Sequence, residues 1–264
     1  MLGAMIGDIV GSRFEWHNIK SKEFQFFHKD CFPTDDSIMT LAIAKALLES
    51  QPNYGDLSEK AIYYMQSIGR KYPECGYGGS FFHWIFSDYP KPYGSFGNGA
   101  AMRISPVGFA AHSMEEVKKL SKQVTEISHN HPKGIKGAEA TAIAIFLARQ
   151  GESISSIKRY ITDHYYDISF TLDGIRDTYT FNETCQETVP QALEAFFESS
   201  SFEDAIRNAI SIGGDSDTLA AITGGVAEAY YGIPESIREE AMSYVTPPAL
   251  QRIVTQFEKQ YQMN

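Results

Sequence analysis

Apolar residues recur at intervals of three and four along most of this chain, and that periodicity restricts it to folds built from packed helices. After the polar stretch 33–37 the pattern runs Ile38, Leu41, Ala42, Ala46 and Leu48, which gives one buried helix face. Comparable stripes occupy 57–69, 114–127, 137–148, 189–197 and 202–210, several opening on Ser or Asp and ending near Gly or Pro, as helix caps do. A longer helix is expected from Asp217 through Leu219, Ile222, Val226, Ala229 and Tyr230, closed by Gly232 and Pro234. Its small residues Ala220, Ala221, Gly224 and Gly225 suit close helix packing. Alternating strand patterns are short, as at 23–27. With no internal repeat, low-complexity tract or linker in 264 residues, the expected architecture is one all-α domain over 1–264, a compact orthogonal helical bundle around a central cleft.

Composition narrows the function classes. With 43% hydrophobic and 21% charged residues the chain has the apolar content of a folded protein. A net charge of −10 argues against an electrostatic grip on nucleic acid or anionic lipid, so any phosphate-bearing ligand must be neutralised by something other than a surplus of Lys and Arg. Cys31, Cys75 and Cys185 are far apart and form no C-x-x-C pair, which fits a reducing cytoplasm. Residues 1–10 are apolar but interrupted by Asp8 and lack a basic flank, and no run approaches the roughly 20 apolar residues that span a bilayer.

Two acidic clusters stand at the mouths of expected helices, Thr34-Asp35-Asp36-Ser37 and Asp215-Ser216-Asp217-Thr218. Helix capping alone would account for one such side chain in each cluster, because Asp, Ser and Thr bond the orphan N–H groups of a first turn. Each cluster, however, holds two carboxylates and a Thr hydroxyl within four residues, and crowded carboxylates repel unless a cation lies between them. An all-oxygen set of this kind suits hard Mg2+ or Mn2+ rather than zinc. Gly7-Asp8-Ile9-Val10-Gly11 reads as a helix whose glycines permit close packing, with Asp8 a polar neighbour; Glu15, between Phe14 and Trp16, is a carboxylate in want of a partner. The run Tyr93-Gly94-Ser95-Phe96-Gly97-Asn98-Gly99-Ala100-Ala101-Met102-Arg103 is either an ordinary turn or a backbone able to present N–H groups to a diphosphate. Ser128-His129-Asn130-His131-Pro132 has no Cys or third His nearby, which argues against zinc and leaves a phosphate-contacting or loop-ordering histidine. His17, His28, His83, His112 and His164 fall in no such pattern.

Taken in order, these segments resemble the ADP-ribosylglycohydrolase family, which includes the dinitrogenase reductase-activating glycohydrolases: G-D-x-x-G with a following Glu, then T-D-D, G-N-G-x-x-M-R, S-H, and G-G-D-S-D-T. The likeness covers most of the chain, from about Gly3 to Pro234. The resemblance implies that Thr34, Asp35, Asp36, Asp215, Asp217 and Thr218 hold two Mg2+ ions, with Mn2+ as the alternative, so that the cleft is metal-lined. It implies that Glu15 is a mobile glutamate beside that centre and, with Asp35 and Asp36, a catalytic carboxylate. Ser95, Gly97, Asn98 and Gly99 match the loop that embraces the diphosphate and distal ribose, Met102 belongs to the same motif, and His129 matches a histidine that contacts the phosphates.

The implied reaction is cleavage of the C1″ glycosidic bond of ADP-ribose attached to a protein side chain, arginine first, or to a related conjugate, with ADP-ribose as product. Some nitrogenase-linked members carry an acidic residue where Ser95 stands, so proton transfer by that carboxylate does not carry over. Leaving-group specificity is expected in the motif-free loops 72–92 and 165–187, and the protein is expected to be monomeric. The competing readings are a metal-dependent phosphoester hydrolase and a catalytically silent ADP-ribose binder.

Overall fold

Gly3, Gly7 and Gly11 share one face of the opening helix, Leu2–Gly11, and that face lies backbone to backbone against the helix Ser216–Tyr231. In the computed structural model, which describes residues 1–261, a Cβ on Gly7 would stand 1.9 Å from the Ala220 carbonyl oxygen and one on Gly11 2.6 Å from Asp217 Cα. A Cβ on Gly224, across the seam, would come within 2.2 Å of the Gly3 carbonyl oxygen. Only glycine permits so close an approach. The seam matters for function because it carries Asp8 and the residues after Gly11 to the start of the Ser216–Tyr231 helix.

Both helices of this pair are buried along nearly their whole length. The Ser216–Tyr231 helix also packs on Phe202–Ser211, Cys185–Phe197 and Pro132–Arg149, while Asp35–Glu49 packs on Leu57–Gly69 and on the last helix, Pro248–Tyr261. One continuous apolar cluster, from Met1 to Phe257, runs between them. The fold is all-α, as expected: among the described residues there is no strand, residues 23–27 included, and the nearest approach to pairing is one isolated antiparallel bridge between Gly97 and Thr184. No helix among them is long and apolar enough to cross a membrane.

Helix 57–69 has the bounds its apolar stripe indicated. The stripe at 137–148 belongs to a helix that starts earlier, at Pro132, because proline suits a first helical position and His131 caps it, its Nδ1 accepting from Lys133 N at 3.1 Å. Helix Gly79–Phe86 escapes the periodicity because it is only 8 residues long and carries exposed Phe82 and Phe86 beside buried Phe81, Trp84 and Ile85, which blurs the stripe.

Candidate active site

The two acidic clusters, 182 residues apart in sequence, meet: Thr218 Oγ1 donates to Asp36 Oδ2 at 3.3 Å. Each sits at the start of a buried helix, but the two starts are built differently. Thr34 is a working N-cap whose hydroxyl accepts from Asp36 N at 3.3 Å. Asp215 holds the equivalent position before Ser216–Tyr231, yet its carboxylate caps nothing; it accepts instead from Asn98 Nδ2 at 2.6 Å. Capping therefore explains Thr34, and Asp217 Oδ1 accepts from the first-turn Thr218 N at 3.0 Å, while Asp36 and Asp215 are left without a structural task of that kind. Asp35 is half-buried on the cleft wall, its backbone N–H donating to the Cys75 carbonyl at 2.9 Å.

Asp8 completes this end. It is fully buried and accepts from Thr34 N at 3.0 Å, Thr34 Oγ1 at 2.6 Å, Ser37 N at 3.1 Å and the Ser37 hydroxyl. The residue thus fixes the first turn of the Asp35–Glu49 helix, and its carboxylate oxygen lies within 4.8 Å of oxygens of Asp36 and Asp217. Glu15 follows the short 3-10 turn Ser12–Phe14 and reaches the other side, within 4.8 Å of oxygens of Asp215 and Asp217.

Burial raises the pKa of every carboxyl in this group, because taking charge out of water disfavours the ionised form. Asp8 and Asp215 are pushed up to about 6. Asp35, Asp36 and Asp217 are raised well above the usual range, by burial first and then by one another's charge. Half-buried Glu15 is pushed up to about 8 by burial, then by Asp217 and Asp8. Among the described residues no Lys, Arg or His forms an ion pair with any of the six. Asp36 Oδ1 is buried without a hydrogen-bond partner. Six crowded carboxylates and two hydroxyls, with an oxygen left unsatisfied, fit a hard divalent cation, which would supply the missing positive charge.

The opposite end of the cleft is made of loops. The 93–99 segment is laced on one side to the 128–130 loop, through Tyr93 N to the Ser128 carbonyl at 3.1 Å and Gly94 N to Asn130 Oδ1 at 2.7 Å. On the other side Asn98 N donates to the Glu183 carbonyl at 2.7 Å and Cys185 N to the Phe96 carbonyl at 3.0 Å. Gly97 and Gly99 leave room for a buried imidazole: a Cβ on Gly99 would stand 3.2 Å from His129 Nε2. Burial, and then the charge of Arg103, hold the His129 pKa well below its ordinary value. Asn98, which joins Asp215 at one end to this loop at the other, ties the two halves together. Between them lies a cleft of about 390 Å³, a volume suited to a small molecule.

The family model for ADP-ribosylglycohydrolase matches residues 1–262. This chain belongs to the ADP-ribosylglycohydrolase family. Human ADP-ribosylhydrolase ARH3 is 25% identical to it, over 92% of this chain and 88% of that protein. A putative ADP-ribosyl glycohydrolase of Acanthamoeba polyphaga mimivirus is 25% identical, over 88% and 85% of the respective chains. A solved structure described as an ADP-ribosylglycohydrolase-related protein complex superposes with a TM-score of 0.73 at 20% identity, covering 99% of this chain and 96% of that one, which shows the shared fold. Membership places the chain among hydrolases of ADP-ribosyl groups, with an acidic cluster that could hold metal.

In this ADP-ribosylglycohydrolase, Glu15, Asp35, Asp36, Ser95, Gly97, Asn98, Gly99, Met102, His129, Asp215, Asp217 and Thr218 all line the one cleft, and Thr34 lies just behind, bonded to Asp8. His131 takes no part and caps a helix. Residues that sequence reasoning left out also line the cleft: Gly76 and Phe81 from the 72–92 stretch, Phe181 and Glu183 from 165–187. No motif marks them. Asp8, taken from sequence as a polar neighbour of packing glycines, is a structural member of the carboxylate group. The available signal was a lone charge within a helix otherwise apolar or small on every side.

Proposed function

We propose that this protein hydrolyses the C1″ glycosidic bond of ADP-ribose linked to a protein side chain, arginine first, and releases ADP-ribose. The observation that carries the reading is the meeting of the two acidic clusters at the foot of a cleft whose other end is a glycine loop. On this reading Thr34, Asp35, Asp36, Asp215, Asp217 and Thr218 hold two Mg2+ ions, or Mn2+ in their place, and Asp8 positions Thr34 and the first turn that carries Asp35 and Asp36. Bound there, such ions would supply Lewis acidity and reverse the sign of the local field, so that an acidic protein accepts an anionic ligand.

The chain's own residues do the rest. Asn98 orients Asp215 while its backbone shapes the loop. Gly97 and Gly99 let the backbone approach the diphosphate, beside His129. In hydrolysis, water adds its oxygen to C1″ and a proton goes to the leaving atom; the developing oxocarbenium charge is met by the carboxylates around it. Glu15, facing the cleft beside Asp215 and Asp217, is the residue assigned to carry the proton between water and leaving atom. Glu183 and the stacked pair of Trp16 and Phe181, centroids 5.1 Å apart, make the adjoining rim acidic and aromatic, a surface that favours a cationic leaving group such as arginine's guanidinium.

The test is a panel of arginine-, serine- and nucleotide-linked ADP-ribose conjugates, incubated with Mg2+ and then with chelator. The expected product is intact ADP-ribose, from the arginine conjugate fastest, and in Mg2+ alone. AMP or phosphate as product would sink the glycosidic reading in favour of a phosphoester hydrolase. Tight ADP-ribose binding with no turnover on any conjugate would favour a silent binder.

A further inference from the structure

The cleft wall hides a cation with no counter-ion. Arg103, which ends the short helix Gly99–Met102, is completely buried, and among the described residues no carboxylate pairs with it. Its guanidinium lies 5.2 Å from the centroid of the Phe81 ring, and its Nε and Nη1 have no hydrogen-bond partner. Only Nη2 is used, donating to Ser128 Oγ at 2.7 Å. An arginine buried with one hydrogen bond and no counter-ion is costly, so its one directed contact asks for a task.

We propose that Arg103 and Ser128 are positioning residues that fix the tautomer of His129, so that Nε2–H is presented to the ligand's diphosphate as a neutral donor; the ligand half of this rests on the function proposed above. A guanidinium can only donate, so Ser128 Oγ must accept from it. The single serine proton is then directed at His129 Nδ1, 2.9 Å away, and Arg103 Nη2 lies 3.5 Å from the same atom. Met by donors, Nδ1 has to be the bare, accepting nitrogen, and the ring proton belongs on Nε2. Nε2 is the atom that faces the glycine loop, 3.2 Å from where a Gly99 Cβ would stand and 3.8 Å from the corresponding point on Gly97.

The surroundings keep this imidazole uncharged. Burial and the Arg103 charge both oppose its protonation. Tyr93 and Phe81 close the ring in, with centroids 5.6 and 6.0 Å from it. Burial lowers the Arg103 pKa to about 10, against Tyr93, Asp35 and Cys185, which favour the charged form, so the guanidinium keeps its charge. The diphosphate end of the cleft therefore carries a permanent positive charge one layer back and a neutral donor in front. Such a donor neither titrates in the working range nor is drawn toward the carboxylates at the other end.

The test reads nitrogen chemical shifts of His129 in the ligand-free protein, labelled with 15N-histidine, from about pH 5.5 to about 8. Wild type is expected to show the neutral Nε2–H tautomer throughout. In Ser128→Ala the relay is cut, and in Arg103→Met the serine hydroxyl is free to turn and accept from Nδ1–H. Both are expected to populate the Nδ1–H tautomer and to weaken ADP-ribose binding about three- to tenfold, the scale of one hydrogen bond. Arg103→Lys, which keeps a buried donor, is expected to recover most of the wild-type tautomer. Circular dichroism melts check folding; should Arg103→Met not fold, Ser128→Ala carries the test. An Nδ1–H or protonated His129 in wild type within that range overturns the proposal, as does Ser128→Ala with unchanged tautomer and affinity. Wild type with the expected tautomer but no affinity for ADP-ribose would instead overturn the ligand assignment and leave the positioning intact.

Discussion

At one end of the cleft Asp36, Asp215 and Asp217 stand on helix starts, braced by a seam of glycines that allows no adjustment; at the other, Ser95, Gly97, Gly99 and His129 stand on loops laced together by backbone hydrogen bonds. The first end gathers carboxyls that no Lys, Arg or His pairs with among the described residues. The second buries a cation, Arg103, that forms no ion pair among the described residues. Each end is thus incomplete in the opposite sense. A ligand bridging them, with ribose hydroxyls at the carboxylates and a diphosphate at the glycine loop, completes both, whereas a protein selected for stability alone would have paired its own charges.

The sharpest way to break that contrast is Asp217→Ala. Removing a carboxylate from the crowded end is expected to lower turnover by about a thousandfold or more, the scale of losing an electrostatic catalytic element, with helix content unchanged. In chelator at about pH 8 the same variant is expected to melt higher than wild type, since one crowded, desolvated carboxyl is gone. Rate assays paired with thermal melts check both halves; near-wild-type turnover in metal-depleted buffer would show that the carboxylate end is not the reaction centre.

Glu15 separates proton transfer from metal retention within that same end. Glu15→Gln keeps size and hydrogen bonding but cannot carry a proton, and a loss in kcat of about a hundredfold or more is expected. A loss of less than about threefold, below any general acid–base contribution, would return Glu15 to a rim residue.

A third, smaller effect follows from the raised carboxyl pKa values. In chelator the folded protein holds protons that the unfolded chain has already released, so stability is full below the unfolded values near 4 and falls as pH rises through about 6 for Asp8 and Asp215 and about 8 for Glu15. Mg2+ offsets this repulsion. The gap in melting temperature between Mg2+ and chelator should therefore widen by a few degrees from about pH 5.5 to about 8. A gap that is absent, or constant over that range, would argue that no cation sits among these groups.

How far the sequence revealed each end follows from the same contrast. The carboxylate end was readable because its chemistry is written in contiguous runs, 34–37 and 215–218, each holding a second carboxylate and a hydroxyl at a helix start. Its exception, Asp8, has no second carboxylate or hydroxyl beside it in sequence, and the groups that bind it, Thr34 and Ser37, come from another helix. The loop end was readable only as far as its glycines and His129. Phe81 sits in a short helix whose exposed Phe82 and Phe86 blur its buried stripe, and Phe181 and Glu183 in a stretch whose placement depends on backbone bonds to Phe96 and Asn98 that no local pattern encodes. Ser128 and Arg103 were visible as letters of the S-H and G-N-G-x-x-M-R motifs, but a relay from guanidinium through hydroxyl to imidazole exists only once the short helix and the 128–130 loop are brought together.

The mildest change tests whether the two ends are as separable as their construction suggests. Gly99→Ala places a methyl 3.2 Å from His129 Nε2, tighter than ordinary contact, and leaves every carboxylate untouched. Overpacking of this degree is expected to weaken ADP-ribose binding about tenfold while the Mg2+-dependent gain in melting temperature stays at its wild-type value. Calorimetric titration and paired melts measure the two quantities on one sample. If the methyl also erased the Mg2+ effect, the ends would be mechanically coupled, and the natural conduit would be Asn98, whose side chain holds Asp215 one residue away from the substituted glycine.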